Sequence, residues 1–210
     1  LTVSTASSSL YSDSWAFADG SPWAGAWTAS TANGTVDTQS SAGRMQFADV
    51  AGAYARAQLT GLAARTDSDT TLSYRWSSGA AVAYASVFVR GSGGWQNGYR
   101  PRSGYGVQIT SNSRTVVLQR NVNGVLSTLA TLGNAQTVGT GKQWVRISVV
   151  GSTVRVKTWL DGSPQPAAWS ATVTDTSVAA AGQVFVSLNR GGANVGVKAF
   201  SIDDLDITSG

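Results

Sequence analysis

The sequence predicts an all-β fold, a two-sheet antiparallel β-sandwich that forms one domain over residues 1–210. No segment shows a sustained helical period of apolar residues, whereas short alternating runs recur along the whole chain. Glycine is abundant at 24 residues and proline scarce at 4, which is typical of many strands joined by turns. Sandwiches of this length are routinely single domains.

The clearest element is a β-hairpin at residues 142–161. Two alternating runs flank a Gly-Ser pair, which suits a two-residue turn. This turn places Trp144 opposite Trp159 and Arg146 opposite Lys157 on one face of the hairpin. Two like charges facing each other are unfavourable, so we expect another group to neutralise or separate them.

The first half of the chain gives weaker signals. Residues 1–9 are rich in Ser and Thr, and we expect a flexible lead-in or an edge strand there. Residues 11–27 form a polar, aromatic loop region in which Asp-Gly and Ser-Pro pairs mark turns. Residues 67–69, Asp-Ser-Asp, are predicted to form a turn. Strands are predicted at residues 35–39, 54–59, 70–76 and 81–90.

The second half begins with a Gly-rich stretch at residues 91–104, which we predict to be a loop. An Asn-Gly pair at positions 123–124 is a strong type I′ hairpin signal between two alternating runs. The remaining strands are predicted at residues 105–110, 114–122, 125–132, 184–188 and 197–207, with a strand end and turn at 172–177.

The last strand contains a break in its alternation. Ile202 and Leu205 both belong to the apolar set but have opposite parity, so the pattern slips at Asp203-Asp204. A one-residue slip inside a strand indicates a β-bulge. Two carboxylates on a bulge supply the hard oxygen ligands that calcium prefers. The alternative is an acidic edge that discourages strand pairing.

The composition excludes several kinds of chemistry. The chain has no Cys and no His, and all eleven acidic residues are Asp. Disulfides, thiolate chemistry and the commonest general base are therefore absent. The net charge of +4 comes from scattered Arg residues, which does not indicate a nucleic-acid partner. No apolar run reaches the length of a membrane span, so we expect no membrane insertion.

Several phrases carry a family resemblance, among them S-D-S-W, Y-G-V-Q-I-T, V-V-L-Q-R-N-V-N-G-V, K-Q-W-V-R-I-S-V-V-G and F-S-I-D-D-L-D-I. Their order resembles laminin-G-like, concanavalin-A-like jelly-roll modules of secreted actinobacterial proteins and of minor tail proteins of actinobacterial phages. The resemblance implies adjacent N- and C-terminal strands and an extracellular or virion-surface location. It also implies a structural calcium ion held by Asp13, Asp203 and Asp204.

The best candidate ligand site is the Gly-rich stretch and the strand that follows it. A glycan site needs aromatic platforms for sugar faces and planar hydrogen-bonding groups beside them. Arginine also pairs with carboxylates and sulfates, so acidic polysaccharides are among the candidate partners. The alternative is a long hairpin whose Trp packs back onto the sandwich. The candidate residues are Trp95, Tyr99, Arg100, Arg102 and Tyr105.

Other aromatic residues give weaker signals. Trp144 and Trp159 occupy positions where the family pattern indicates packing. Strand residues that could line a sheet face are Tyr54, Arg56, Tyr74, Arg75 and Tyr84.

Three functions remain open. The leading one is a non-catalytic, extracellular, lectin-like module that binds a cell-surface or cell-wall polysaccharide within a larger secreted or phage tail protein. The second is a structural or assembly domain, which predicts a homo-oligomer. The third is a polysaccharide lyase with Tyr as acid and base and Arg on the substrate carboxylate. A glycosidase is disfavoured, because no Asp pair falls two apart on one strand in an aromatic cleft.

Overall fold

The computed structural model describes residues 8–192 and 196–210. Most of the predicted lead-in lies outside these ranges. Within them, no helix is long and apolar enough to cross a membrane.

The regular elements of the described residues are fifteen strands. They are β1 (Ser9–Asp13), β2 (Trp27–Ala32), β3 (Gly34–Thr38), β4 (Gly43–Phe47), β5 (Tyr54–Leu59), β6 (Ser68–Trp76), β7 (Ala83–Gln96), β8 (Arg100–Thr110), β9 (Val116–Val122), β10 (Val125–Leu132), β11 (Gln143–Val150), β12 (Thr153–Leu160), β13 (Ala171–Thr174), β14 (Gln183–Arg190) and β15 (Lys198–Thr208).

The strands form two antiparallel sheets, which confirms the predicted sandwich. Sheet A has eight strands in the order β13-β12-β11-β6-β15-β4-β3, with β1 also paired to β15. Sheet B has seven strands in the order β10-β9-β8-β7-β14-β5-β2. The pairing of β1 with β15 makes the terminal strands neighbours, as the family resemblance implies.

The inward faces of the two sheets share one buried apolar cluster. Strand alternation supplies it, because every second residue of each strand points to the same side. The region predicted as an aromatic loop at residues 11–27 also enters this core. Its Trp15, Trp23 and Trp27 are buried, and the ring centroids of Trp23 lie 5.2 Å from those of both other rings.

The β11–β12 hairpin has the predicted register, with Trp144 opposite Trp159 and Arg146 opposite Lys157. The two indole rings are parallel within 3°, with centroids 5.7 Å apart, so they pack on each other. This arrangement agrees with the packing role expected for the pair.

Asp69 explains how Arg146 and Lys157 tolerate each other. It accepts two hydrogen bonds from Arg146, at 2.6 and 2.8 Å, and so neutralises this guanidinium. The Nζ of Lys157 donates to the carbonyl oxygen of Pro166 at 2.7 Å. Burial, and then the charge of Arg146, lower the pKa of Lys157.

The prediction of a turn at residues 67–69 is partly wrong, since Asp69 already belongs to β6.

Candidate functional site

The Gly-rich stretch is not the loop that the sequence predicts. β7 continues to Gln96 and β8 begins at Arg100, so residues 91–104 form the outer half of a long hairpin. Its pairing register shifts twice, between Val89 and Ser92 and again between Ser92 and Trp95. Such bulges bend a strand sharply, which lets the hairpin fold back over sheet B.

The hairpin packs on the outer face of sheet B, which is the face turned away from sheet A. Phe185 and Ser187 of β14 lie on this face, because they alternate with core residues of the same strand. The Trp95 ring meets the Phe185 ring edge-on, with centroids 4.7 Å apart. Ser187 Oγ donates to the Tyr99 carbonyl oxygen at 2.6 Å. The ring of Trp95 therefore anchors the hairpin, as the alternative interpretation of this stretch expects.

The second anchor is Arg56 of β5. Its Nη1 donates to the Gly98 carbonyl oxygen at 2.8 Å. Its guanidinium carbon lies 4.8 Å from the centroid of the Tyr54 ring and 4.9 Å from that of Trp95. The guanidinium thus lies near two aromatic rings and holds the tip of the hairpin over the sheet.

Two open clefts flank the hairpin tip, each of about 380 Å³. The first, here called the Tyr54 cleft, is lined by Tyr54, Arg56, Tyr99, Asn189 and Arg190, together with Asn97 and its neighbours. The second, here called the Arg102 cleft, is lined by Gly93, Trp95, Gln96, Asn97, Arg102 and Asn123. Asn97 lines both clefts. Volumes of this size are typical of small-ligand sites.

Polar atoms without partners lie at both clefts. Asn189 is only 9% exposed, and its Oδ1 has no hydrogen-bond partner among the described residues. Two more atoms lack a hydrogen-bond partner among the described residues. They are Nε of Arg190, next to Asn189 in the Tyr54 cleft, and Oε1 of Gln96 in the Arg102 cleft. Buried polar atoms are rarely left unpaired in native proteins, so each of these groups keeps an unused capacity for a hydrogen bond.

The charge around the hairpin is positive. Arg100 lies over the Tyr99 ring, with its guanidinium carbon 4.8 Å from the centroid, and Arg102 is exposed. None of the ion pairs among the described residues includes Arg56, Arg100 or Arg102. The described residues that line the two clefts include no carboxylate. This arrangement can stack and hydrogen-bond a ligand, but it offers no pair of acids for glycoside hydrolysis.

Tyr105, although predicted as a ligand residue, is not among the described residues that line either cleft. Its side chain is fully buried, because alternation along β8 places it on the core face with Val107 and Ile109. Its hydroxyl donates to Asp175 Oδ1 at 2.7 Å and accepts from the backbone of Val178 at 3.1 Å. Burial, followed by the bond to Asp175, raises the pKa of this phenol. A lyase mechanism therefore loses Tyr105 as its acid or base.

The predicted β-bulge at Asp203-Asp204 is present, since the register of β15 against β6 shifts between Ile202 and Asp204. Both carboxylates, however, already form ion pairs with basic side chains. Asp203 pairs with Arg75 at 2.7 Å and Asp204 with Lys142 at 2.8 Å.

The pKa values of the two carboxyl groups reflect their different surroundings. Burial raises the pKa of Asp203. Burial also acts to raise that of Asp204, but hydrogen bonds from Lys142 and Ser73 hold it below its usual value.

Asp13 does not join the acidic pair in a group of metal ligands, so the calcium site that the resemblance implies stays a prediction that the described residues do not support. Asp13 pairs with the buried Leu205 in the sheet register and lines one open pocket together with Asp204. Its oxygens already accept bonds from Tyr11 Oη, the Trp15 amide and Trp27 Nε1. No group of three or more possible metal ligands occurs among the described residues. The residues present therefore do not fit a calcium ion.

No family model matches the sequence, and a search of the curated proteins finds no match. Solved structures with the same fold are found. A carbohydrate-binding module, CBM66 of Bacillus subtilis, superposes with a TM-score of 0.61 at 15% identity, covering 88% of this chain and 96% of that one.

LamA from Z. galactanivorans, in complex with laminaritriose and laminaritetraose, has a TM-score of 0.68 at 12% identity and covers 96% and 98% of the two chains. The exoplasmic/lumenal domain of VIP36, in a form bound to Ca²⁺ and Man3GlcNAc, has a TM-score of 0.60 at 13% identity and covers 88% and 86%. At these identities the likeness shows the fold, a concanavalin-A-like jelly roll.

Four of the five predicted ligand residues, Trp95, Tyr99, Arg100 and Arg102, do come together on the hairpin. Sequence reasoning gave little weight to Tyr54 and Arg56, because aromatic residues are common in any strand. It missed Asn189 and Arg190 altogether. Their only sequence signal is that Asn189 alternates with the apolar residues of β14 and so must face outward.

Proposed function

We propose that this protein is a lectin-like module that binds a glycan at the tip of the β7–β8 hairpin. The observation that carries the proposal is the pair of clefts beside the tip. They combine the rings of Tyr54, Trp95 and Tyr99 with guanidinium groups and with amide oxygens that lack partners. Aromatic faces and planar polar groups are the surfaces that recognise sugar rings and their hydroxyls.

The fold supports this proposal without deciding it. The same jelly roll occurs in a carbohydrate-binding module and in a domain bound to Man3GlcNAc, but one fold hosts many functions. We favour binding over catalysis, because the residues lining both clefts contain no acid pair and Tyr105 is buried.

The wider setting is also part of the proposal. The motifs that resemble modules of secreted actinobacterial proteins and of phage tail proteins favour a place outside the cell, within a larger protein. In that setting a cell-surface or cell-wall polysaccharide is the natural ligand.

The test is a glycan array with the wild-type protein and a variant carrying Tyr99→Ala and Arg102→Ala. Both replaced side chains lie at the surface of the hairpin, and the Ser187 bond uses the Tyr99 backbone, so the fold should persist. Phe17→Ala is the matched control, because it removes a ring that is 45% exposed and lines neither cleft.

We expect the wild type and the control to bind the same glycans and the double variant to lose them at an unchanged melting temperature. Retained binding by the double variant would place the site elsewhere. An empty array together with stable oligomers would favour an assembly domain instead.

A further inference from the structure

The outer faces of the two sheets differ in how many of their cations have acidic partners. On the outer face of sheet A, four basic side chains meet carboxylates directly, whereas Arg155 and Lys157 bond to neutral oxygens. The pairs are Arg44–Asp37 at 2.6 Å, Arg75–Asp203 at 2.7 Å, Lys142–Asp204 at 2.8 Å and Arg146–Asp69 at 2.6 Å. On the outer face of sheet B, the three arginines of the hairpin region have no such partner among the described residues.

Arg56 shows this most clearly. It lines the Tyr54 cleft, and its Nε donates to Ser30 Oγ at 2.7 Å while its Nη1 donates to the Gly98 carbonyl. All the hydrogen-bond acceptors that the structure gives it are neutral. The rings of Tyr54 and Trp95 lie within 5 Å of its guanidinium carbon and limit its access to water. A partly desolvated cation gains most from an anionic ligand, since the ligand supplies the missing countercharge.

Arg190 is a second cation that lines the Tyr54 cleft, and the carboxylate that neutralises it is not part of the cleft lining. Arg190 Nη2 pairs with Asp49 at 2.7 Å, and Asp49 does not line the cleft. The Nε of the same guanidinium has no hydrogen-bond partner among the residues that the structure describes. The cleft thus presents two guanidinium groups together with the unpaired Asn189 oxygen.

The Arg102 cleft holds one guanidinium group and one amide oxygen, that of Gln96, which has no hydrogen-bond partner among the described residues. Arg102 is exposed there, next to Trp95 and Gln96. Because Asn97 lines both clefts, a ligand that fills both must pass over the hairpin tip. A linear chain can do this, whereas a single terminal sugar can fill only one cleft.

We propose that the ligand is a linear anionic polysaccharide whose carboxylate or sulfate groups meet Arg56 in the Tyr54 cleft and Arg102 in the Arg102 cleft. This inference rests on the glycan-binding function proposed above. It adds the charge class of the ligand and the requirement for a chain that spans two subsites.

The experiment uses pairs of polysaccharides that differ only in charge. Alginate, hyaluronan and oligogalacturonates of increasing length are titrated by calorimetry against their carboxyl-reduced forms, and chondroitin sulfate against a form that is both desulfated and carboxyl-reduced. We expect at least one charged member to bind, and its neutral partner to bind about tenfold more weakly or worse. Affinity should fall with added NaCl and rise with chain length until both clefts are filled.

Three variants test which arginines bind the charged groups of the polysaccharide. Arg56→Gln and Arg102→Gln should each weaken binding of the charged polysaccharide about tenfold. Arg114→Gln is the matched control, because it removes the same formal charge from an exposed residue beyond the other end of β8. Arg102 is exposed, so its replacement tests the proposal even if Arg56→Gln loosens the hairpin.

The outcomes separate the two proposals. Equal binding of charged and neutral forms, or equal losses in all three variants, would overturn the anionic ligand and leave glycan binding intact. No binding to any polysaccharide, here or on the array, would overturn both. Equally tight binding of single-stranded DNA would show non-specific attraction of polyanions and would also overturn the anionic-glycan proposal.

Discussion

Replacing Arg90 tests whether one buried guanidinium holds one end of the sandwich together. The side chain is 3% exposed. Its Nη1 donates to the Val178 carbonyl at 2.9 Å, its Nη2 to that of Gly151 at 2.7 Å, and its Nε to that of Thr66. Its Nη2 also meets Asp67 at 3.1 Å. The residue at the base of the hairpin thus connects three separate loops.

The variant Arg90→Met keeps the apolar stem and removes all the donors. A buried carbonyl left without a donor costs about 1–3 kcal/mol. Val178 is buried, whereas Gly151 lies in an exposed turn and can turn to water, so the losses do not simply add. We expect the free energy of unfolding to fall by about 3 kcal/mol, in the range for breaking a buried charged contact. For a chain of this size the melting temperature should then fall by roughly 6–12 °C.

Urea unfolding, with the slope m held constant between variants, measures this loss. Arg90 has a positive φ of 51°, but methionine would share that strain, so the backbone contributes no difference. Arg114→Met, at an exposed site, is the control and should leave stability unchanged within about 0.5 kcal/mol. A loss below about 1 kcal/mol in Arg90→Met would show that water replaces the guanidinium at these carbonyls, and the reasoning would fail.

Three further predictions concern the rest of the fold. Adding calcium chloride or EDTA should leave the melting temperature unchanged, because the acidic pair of the β15 bulge is already neutralised; a clear rise with calcium would restore the metal site. Burial alone would raise the pKa of Asp175, but hydrogen bonds from Tyr105 and its neighbours hold it below its usual value. The stability that the Asp175 carboxylate adds is present above its unfolded-state pKa and is lost as pH falls through its folded-state pKa. Asp175→Asn should therefore lower the free energy of unfolding at pH 7 and make that free energy decline less steeply toward acid pH. Urea unfolding that shows an equally steep decline in both proteins contradicts this prediction. Gly106→Ala would place its Cβ 2.6 Å from the Phe88 ring and should lower the free energy of unfolding by about 1–3 kcal/mol, measured in urea. The control Gly25→Ala lies in open space and should cost little. Equal losses of stability in the two variants would show that the Phe88 ring moves freely.

The parts of the fold that sequence predicts correctly depend on alternation between near neighbours. The register of Trp144 with Trp159 follows from one two-residue turn and a period of two. The bulge before Leu205 follows from a slip of one residue in the same period. Both signals are complete within about twenty residues of chain, so no distant partner is needed to interpret them.

The site was harder to predict because its partners are distant in sequence. Glycine disfavours regular strands, so the stretch before Tyr105 indicated a loop, although glycines in a strand also mark bulges. That Trp95 would pack on Phe185 depends on β14, which pairs with β7 only in the folded sheet. Tyr105 was a different error, since it shares the parity of the buried Val107 and the alternation already placed it in the core.

The Asn123-Gly124 turn shows where local and tertiary constraints meet. Positive φ values of 50° and 93° make it the type I′ turn that the sequence predicts. Gly124 also donates its amide to the Arg102 carbonyl at 2.8 Å and accepts a bond from Gln96 Nε2 at 3.2 Å. A Cβ at this position would lie 2.2 Å from the Gln96 amide oxygen. The turn thus favours glycine through its positive φ, and a side chain here would also displace the Gln96 side chain of the β7–β8 hairpin. The dipeptide predicts the first effect only, because the second depends on a hairpin that folds back from another part of the chain to form the Arg102 cleft.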